Sequence, residues 1–186
     1  MTFDPPCRAK RDRRSTEVKR LEQEKIFGEQ LERLFCAGYE RSHFQLMKTK
    51  EMGLGVRNRR LIKAGQPVLE YKGELVTSAE GWRRLHANPN SEKLFFFCFQ
   101  ETNYALDGHE AKDSMGVLVN HSRPPGANCV ARSLSTHGSV RLFLVAERDI
   151  LPGHELFYDY NDRNKAHVRE NPWLAESVPV QSKCTG

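Results

Sequence analysis

The sequence predicts an α+β chain: a mainly β domain carrying short helices. Three observations predict it. Short apolar stretches of strand length, such as "KLFFFCFQ" and "SVRLFLVA", recur between residues 42 and 161. Gly, Pro and Asn interrupt them. Their Phe, Val and Leu content suits a pleated, half-buried surface. A longer apolar stripe at helical spacing precedes that region and sets the N-terminal flank apart from it.

The chain opens on charge. From Arg8 to Arg20 it reads "RAKRDRRSTEVKR", seven Lys and Arg against Asp12 and Glu17. Such a run is either a solvated arm or a contact to nucleic acid or a nucleosome, and it also has the composition of a nuclear import signal. A helix follows. Ser15 can cap it, and Glu17 suits the positive first turn. Leu21, Phe27, Leu31, Leu34 and Phe35 form its apolar stripe, a packing face, and Gly38 is a fitting stop. Residues 1–41 are therefore expected to be a basic arm and a flanking helix docked on the domain that follows.

That domain, residues 42–161, begins with strand and turn in alternation. "GVRNRRLIKAGQPVLEYKGELV" places turns at Lys63-Ala64-Gly65 and at Lys72-Gly73. Thr77 and Glu80 make a T-x-x-E capping box, which predicts a short helix to about His86, ending before Pro89. The two apolar runs quoted above supply further strands. "DILPGHELFYDY" is a Pro-Gly turn leading into one more.

Composition bounds the function. With 186 residues, 38% of them apolar and 28% charged, the chain can form one domain with a real core. No apolar run reaches the ~20 residues of a membrane span, and no signal-peptide stretch opens the sequence, so no membrane role is expected. Cys7, Cys36, Cys98, Cys129 and Cys184 are scattered and form no C-x-x-C, which speaks against a disulfide framework or a zinc cluster and for a reducing compartment. His109, His137 and His154 show no metal-ligand spacing, and no metal is expected. The net charge of +5 favours polyanionic surroundings only weakly.

Two stretches draw attention. Gly53-Leu54-Gly55 is not a dinucleotide fingerprint, because Asn58 stands where a third glycine is needed. The two glycines let the backbone approach a neighbour closely. Tyr158 and Tyr160, at i and i+2 of a strand, face one side, with Asp159 on the other. Taken alone, such a pair is more often core packing. What changes its meaning is order: G-x-G, then Y-x-G (Tyr71-Lys72-Gly73), then N-H-S (Asn120–Ser122), then E-L-x-Y-D-Y (Glu155–Tyr160), at domain-scale intervals.

That ordered set resembles the SET-domain lysine methyltransferases. "YDYNDRNKAHVRENPWL", residues 158–174, looks like the branch that monomethylates lysine 20 of histone H4, and the resemblance covers about residues 16–174. It implies a SET-domain β fold over residues 42–161, with knot-like threading near its C-terminal end and cofactor and peptide entering from opposite faces. It also implies a C-terminal flanking helix over residues 162–174, capped by Asp162 and stopped by Pro172. Residues 175–186, "AESVPVQSKCTG", read as a disordered tail.

The resemblance assigns roles. Tyr160 is the main catalytic tyrosine, and Tyr71 and Tyr158 line the lysine channel. Met52, Gly53, Leu54 and Gly55 run along S-adenosylmethionine, Asn120 and His121 hold it through main-chain and side-chain contacts, Trp173 packs on its adenine, and Phe95 stands where cofactor meets lysine. Asp159 and Ser122 tie the crossing segments together. The chemistry explains the residue types. The nucleophile must be a neutral amine, yet lysine titrates near 10.4, so only about one in a thousand is ready near pH 7. A narrow, dry, aromatic channel beside a sulfonium lowers that pKa and aligns the amine with the methyl.

Further expectations follow from the same resemblance. The partner is the histone H4 tail or the nucleosome, with arm 8–20 a candidate DNA contact. Glu70, Glu74 and Glu101 are candidates for an acidic groove. The location is the nucleus, on the chromosome, and the chain is a monomer. Relatives tend to carry Lys-Gly-Arg-Gly where this chain has Met52–Gly55, and Tyr in place of Phe95, which implies an active but impaired enzyme. Three rivals stand beside this reading: an inactive SET domain serving as a chromatin-binding module, a SET methyltransferase with a non-histone substrate, and a β-barrel nucleic-acid binder. The last needs exposed aromatics among basic residues, and the run 94–99 holds no basic residue.

Overall fold

The computed structural model describes residues 13–88, 93–112, 114–163 and 165–181. The first part of the basic arm, residues 8–12, the cysteines Cys7 and Cys184, and tail residues 182–186 lie outside the described residues.

Helix α1 spans Arg13–Leu34, so Ser15 lies within it rather than capping it. Its end meets the short helix α2, Tyr39–His43, through Gly38, whose φ of 79° forms the joint between the two helices. Leu31 and Leu34 are buried with Phe143, and Phe35 meets Phe143 edge-on with ring centroids 6.2 Å apart. The Arg141 guanidinium covers the Phe35 ring at 4.8 Å. Phe27, Leu31, Leu34 and Phe35 of the predicted stripe thus dock α1 on the domain, while the Leu21 side chain lies outside the described residues. Phe143 is fully buried at its centre, and truncating it to Ala costs about 3–5 kcal/mol.

Strands β1 (Phe44–Lys48) and β2 (Leu54–Asn58) form an antiparallel hairpin with Lys48 opposite Leu54. Strand β3 is Pro67–Glu70 and β4 is Glu74–Thr77; the stretch between them, where a Lys72-Gly73 turn is expected, is instead an unturned link that carries the chain from one sheet to another. Half of the capping box forms: the Glu80 amide donates to Thr77 Oγ1 at 3.3 Å, while the Glu80 carboxylate turns to Arg83 and Arg84 instead of the Thr77 amide, and α3 runs Ser78–Ala87. Strands β5 (Leu94–Phe99) and β6 (Thr102–Asp107) make a second hairpin, completed as a three-stranded sheet in the order β4-β6-β5.

A 3-10 turn at Gly116–Leu118 leads into β7, the two residues Asn120–His121. The long hairpin β8 (Cys129–Thr136) and β9 (Ser139–Ala146) follows, and then β10, only Phe157–Tyr158. These join β3 in a five-stranded sheet, order β3-β9-β8-β10-β7. A core of Phe44, Val56, Val68, Leu69, Leu144 and Leu156 lies between this sheet and the β1–β2 hairpin. Helix α4 spans Lys165–Glu170, and a 3-10 turn spans Pro172–Ala175. No helix among the described residues is long and apolar enough to cross a membrane.

The stretch expected to be a disordered tail is, over residues 176–181, hydrogen-bonded to the domain. The Arg123 amide donates to Glu176 O at 2.9 Å and the Val178 amide to Ser122 Oγ at 3.0 Å. Its Ser, Val and Gln residues have the composition of a solvated linker, but it is held by polar contacts rather than by an apolar stripe.

Candidate active site

The site is made where late segments thread between early ones. β10 lies parallel to both neighbours, with Tyr158 paired to His121 on one side and to Cys129 on the other. Two residues make a short strand, and buried Asn128 reinforces it. Its Oδ1 accepts the Phe157 amide at 2.9 Å, its Nδ2 donates to Glu155 O at 2.8 Å, and its own amide donates to Phe157 O at 3.0 Å. The Ser122 amide donates to Tyr158 O at 3.2 Å. N-H-S and E-L-x-Y-D-Y are therefore neighbours in one sheet.

This threading gathers aromatic rings from five parts of the chain. Tyr71 meets Phe95 at 5.5 Å between centroids, Phe95 meets Tyr158 at 6.0 Å, and Tyr158 meets Tyr160 at 4.7 Å. Tyr160 then meets His121 at 5.0 Å and Trp173 at 6.3 Å. The strand ends at Tyr158, so the expected strand spacing does not extend to Tyr160; the two rings nonetheless lie together, and the Tyr160 amide is held by His121 Nδ1 instead of by a ladder. Asp159 points elsewhere and is bonded to Arg163 at 2.6 Å and to the Asn161 amide at 2.8 Å. Its expected role in tying crossing segments is taken instead by Asn128 and Ser122.

The three phenols differ in what their hydroxyls do. Tyr71 O–H donates to Lys93 O at 2.9 Å, and Tyr160 O–H donates to Val119 O at 2.9 Å. Each oxygen keeps lone pairs for another donor. The Tyr158 hydroxyl has no hydrogen-bond partner among the described residues. Burial pushes the titration of Tyr71 and Tyr158 well above the ordinary phenol value, and mutual repulsion with Tyr160 adds to it. Both therefore stay protonated across the working pH range.

His121 is neutral by the same logic. Burial lowers its pKa, more than nearby Asp159 raises it. Nδ1 accepts the Tyr160 amide at 3.1 Å, which leaves the proton on Nε2 to donate to Leu174 O at 3.1 Å. Both ring nitrogens are used, so the imidazole ties the Y-D-Y segment to the C-terminal turn and only its main chain is left to contact a ligand. Trp173 stands edge-on to His121 at 5.8 Å and is 41% exposed, so part of the indole is open.

Gly55 meets Asn120. A Cβ on Gly55 would collide with Glu155 Oε1 and lie 2.8 Å from Asn120 Nδ2. Asn120 Nδ2 donates to Glu155 Oε1 at 3.0 Å, and burial raises the pKa of Glu155 more than that bond lowers it. Met52 and Gly53 are fixed at the hairpin turn: the Met52 amide donates to Thr49 Oγ1 at 2.9 Å, and the Thr49 amide donates to Gly53 O at 2.7 Å. Leu54 begins β2 and is 50% exposed. Sequence reasoning quoted Glu155 as the start of a motif but gave it no place in the site. Its partner Asn120 is 35 residues away, and no local spacing announces the pair.

The acidic candidates fare differently. Glu70 is buried and paired with Arg141 at 3.3 Å, and Glu74 is paired with Arg84 at 2.7 Å. Their charges are already matched within the fold. Glu101 sits exposed at the β5–β6 turn with φ 64°. Among the described residues, no three His, Cys, Asp or Glu side chains gather as metal ligands.

The family model of the SET domain matches residues 53–161. N-lysine methyltransferase KMT5A-A of Danio rerio is 37% identical over 126 residues, 66% of this chain and 36% of the relative. KMT5A-A of Xenopus laevis is 32% identical over 166 residues, 87% of this chain and 49% of the relative. Histone-lysine N-methyltransferase Set8 of Drosophila melanogaster is 33% identical over 144 residues, 75% of this chain and 20% of the relative. The chain thus spans half or less of the length of these curated relatives. Among solved structures, CpSET8 from Cryptosporidium superposes with a TM-score of 0.56 at 34% identity, covering 65% of this chain and 58% of that one. The family match takes in more than half of the sequence and all four motifs that the fold brings to one ring-lined site, and so the chain belongs to the SET-domain family, resembling within it the KMT5A and Set8 lysine methyltransferases.

Proposed function

We propose that this chain is a protein-lysine N-methyltransferase that uses S-adenosylmethionine and adds a single methyl group to lysine 20 of histone H4, in the nucleus and on the chromosome. The observation that carries the reading is the run Tyr71, Phe95, Tyr158, Tyr160, with two phenols donating to backbone carbonyls and a third free to bind. The names of the relatives, N-lysine and histone-lysine methyltransferases, support the substrate class.

The residues present fit the cofactor. Gly55 leaves no side chain between the hairpin and Asn120. Asn120 Nδ2 is committed to Glu155, so Oδ1 is the end of the amide that can accept from an ammonium group. The open part of Trp173 suits an adenine, and the His121 main chain runs beside it. Bound there, S-adenosylmethionine supplies a methyl group on a sulfonium.

The chain's own groups prepare the amine. Rings of Tyr71, Phe95 and Tyr158 exclude water and disfavour the charged form of lysine. Tyr160 O–H donates a hydrogen bond to Val119 O, which turns the oxygen's lone pairs toward the amine hydrogens and the polarised methyl. Tyr158 has its hydroxyl free for the amine, and by occupying the space beside it limits transfer to one methyl. Leu54 and Phe95, which lack the cation and the hydroxyl expected there, are the positions at which turnover falls below that of the relatives. Arm 8–20 adds a salt-dependent contact to DNA, and the chain acts as a monomer.

Mass spectrometry of histones and nucleosomes incubated with the protein and S-adenosylmethionine tests the proposal. The expected product is one added methyl on lysine 20 of H4. Histones left unmodified by a protein that binds the cofactor would overturn it in favour of a chromatin-binding module. A single methyl found only on a non-histone protein would overturn the substrate.

A further inference from the structure

We propose that the C-terminal strap, residues 176–181, is a positioning element for the cofactor site, acting through Ser177 and Gln181 on the segments that carry Asn120 and Gly55. The inference rests on the reading of that site as one for S-adenosylmethionine.

The strap is built into the site's supports rather than lying over them. The Gln181 amide clamps the main chain of Glu155 from both ends: the Glu155 amide donates to Gln181 Oε1 at 2.9 Å, and Gln181 Nε2 donates to Glu155 O at 3.0 Å. One side chain thereby completes the pair of bonds that a neighbouring strand would make. Glu155 is the residue whose carboxylate holds Asn120 Nδ2 and closes the space above Gly55. Its neighbour Leu156 donates to Val56 O at 2.7 Å, next to Gly55. A shift of the Glu155 backbone therefore moves both the Asn120 amide and the β1–β2 hairpin.

The other end of the strap fixes the loop after N-H-S. Ser177 Oγ accepts the Gly126 amide at 3.1 Å and donates to Arg123 O at 2.9 Å. Gly126 has room for no side chain, because a Cβ there would collide with Val178 O and Ser122 Oγ. Arg123 Nε and His121 Nε2 both donate to Leu174 O, just before the strap begins. The segments carrying Asn120 and Gly55 are thus tied to residues 174–181, the first directly and the second through the Glu155-Leu156 main chain. The contacts are main-chain and amide bonds with little apolar burial, so they set position more than global stability.

The test compares the parent with Gln181→Ala and Ser177→Ala, with Glu176→Ala as control, since Glu176 contributes its backbone carbonyl. Two measurements are made on the full chain. In the absence of ligand, hydrogen exchange at the Leu156 and Ser122 amides should rise about tenfold in Gln181→Ala and Ser177→Ala, and not in the control. Calorimetry with S-adenosylhomocysteine should show binding weakened about five- to tenfold in each, with the KM for peptide and kcat at saturating S-adenosylmethionine within about twofold of the parent. Ser177→Thr, which keeps the hydroxyl, should restore binding. Variants that bind within twofold of a binding parent, or whose peptide KM rises by the same factor, overturn the strap's role. A parent that binds no S-adenosylhomocysteine overturns the reading of the site itself and the strap's role with it.

Discussion

The site and the β4-β6-β5 sheet beside it hold themselves together by opposite means. In the sheet and its helix α3, charge does the holding. Arg84 reaches Glu74 at 2.7 Å, Asp107 at 2.8 Å and Glu80 at 2.9 Å, while Arg83 makes two 2.7 Å bonds to Glu80. Those guanidinium bonds, Arg83's first and then Arg84's, hold the Glu80 carboxyl down at about 2. In the site, the groups that fix Tyr71 and Tyr160 are two backbone carbonyls, and His121 is kept uncharged. The difference is chemical. Under the proposed activity, a carboxylate beside a substrate lysine would stabilise its ammonium form and keep the nucleophile protonated. Uncharged dipoles can orient an amine without charging it. Where only rigidity is needed, ion pairs serve.

The largest expected effect comes from removing one neutral dipole. Tyr160→Phe should lower kcat by about a hundredfold or more, the scale for losing an oriented oxygen at a reacting centre. Calorimetry should still show cofactor binding close to that of the parent, and circular dichroism an unchanged fold. A near-normal rate would remove Tyr160 from the chemistry.

Tyr158→Phe should change the kind of product more than the rate. With the hydroxyl gone, the space beside the amine opens, and mass spectra of a histone H4 peptide should shift from monomethyl- to dimethyl-lysine. An unchanged product ratio would place the gate elsewhere.

Arg84→Met tests the other half of the contrast. The thermal midpoint should fall by about 2–5 °C at low salt, with kcat at saturating cofactor within about twofold. In about 1 M salt the gap to the parent should narrow, because screening weakens the parent's network. A large loss of activity with no loss of stability would mean that the two regions are not separable.

The smallest effect concerns His121. Its folded pKa is lowered by burial, so below the unfolded value of about 6.5 the unfolded chain binds the extra proton and the folded chain resists it. The contribution of His121 to stability is therefore fully present above that pH and is lost as pH falls beneath it. Denaturant titrations from pH 7.5 to 5.5 should show this decline in the parent and a flatter profile in His121→Gln.

Local signals carried much of the fold. Thr77 and Glu80 announced α3 because a cap is written in four consecutive residues. β5 and β9 were legible as unbroken apolar runs. β6, "TNYALD", and β8, "CVARSLST", alternate small, polar and apolar residues and gave no run to read, since much of each is only half-buried. The start of α1 was misplaced because Ser15 is a good cap wherever a helix does not already extend past it. At the site, the order of four motifs pointed to the tyrosines, and their meeting depended on pairings of Tyr158 with His121 and Cys129 that no short window contains. Glu155 and Gln181 were missed for the same reason: one is defined by a partner 35 residues away, the other by a main chain 26 residues away.

The two-residue strand β10 also sets a clock on how the chain assembles. The hairpin β8–β9 and its partner β3 are all present once synthesis has passed Ala146, so that part of the sheet can pair while the remainder is still being made. Until Phe157 and Tyr158 arrive, the seam between β7 and β8 stays open, and His121 Nδ1 waits for the Tyr160 amide that follows them. The segments that close it bond to partners up to 56 residues back, so closure is non-local and slow compared with the hairpins. The ring-lined site is therefore completed only after the β3-β9-β8 part of the sheet, and a chain ending between Ala146 and Tyr160 lacks Tyr160 while keeping the strands that came before.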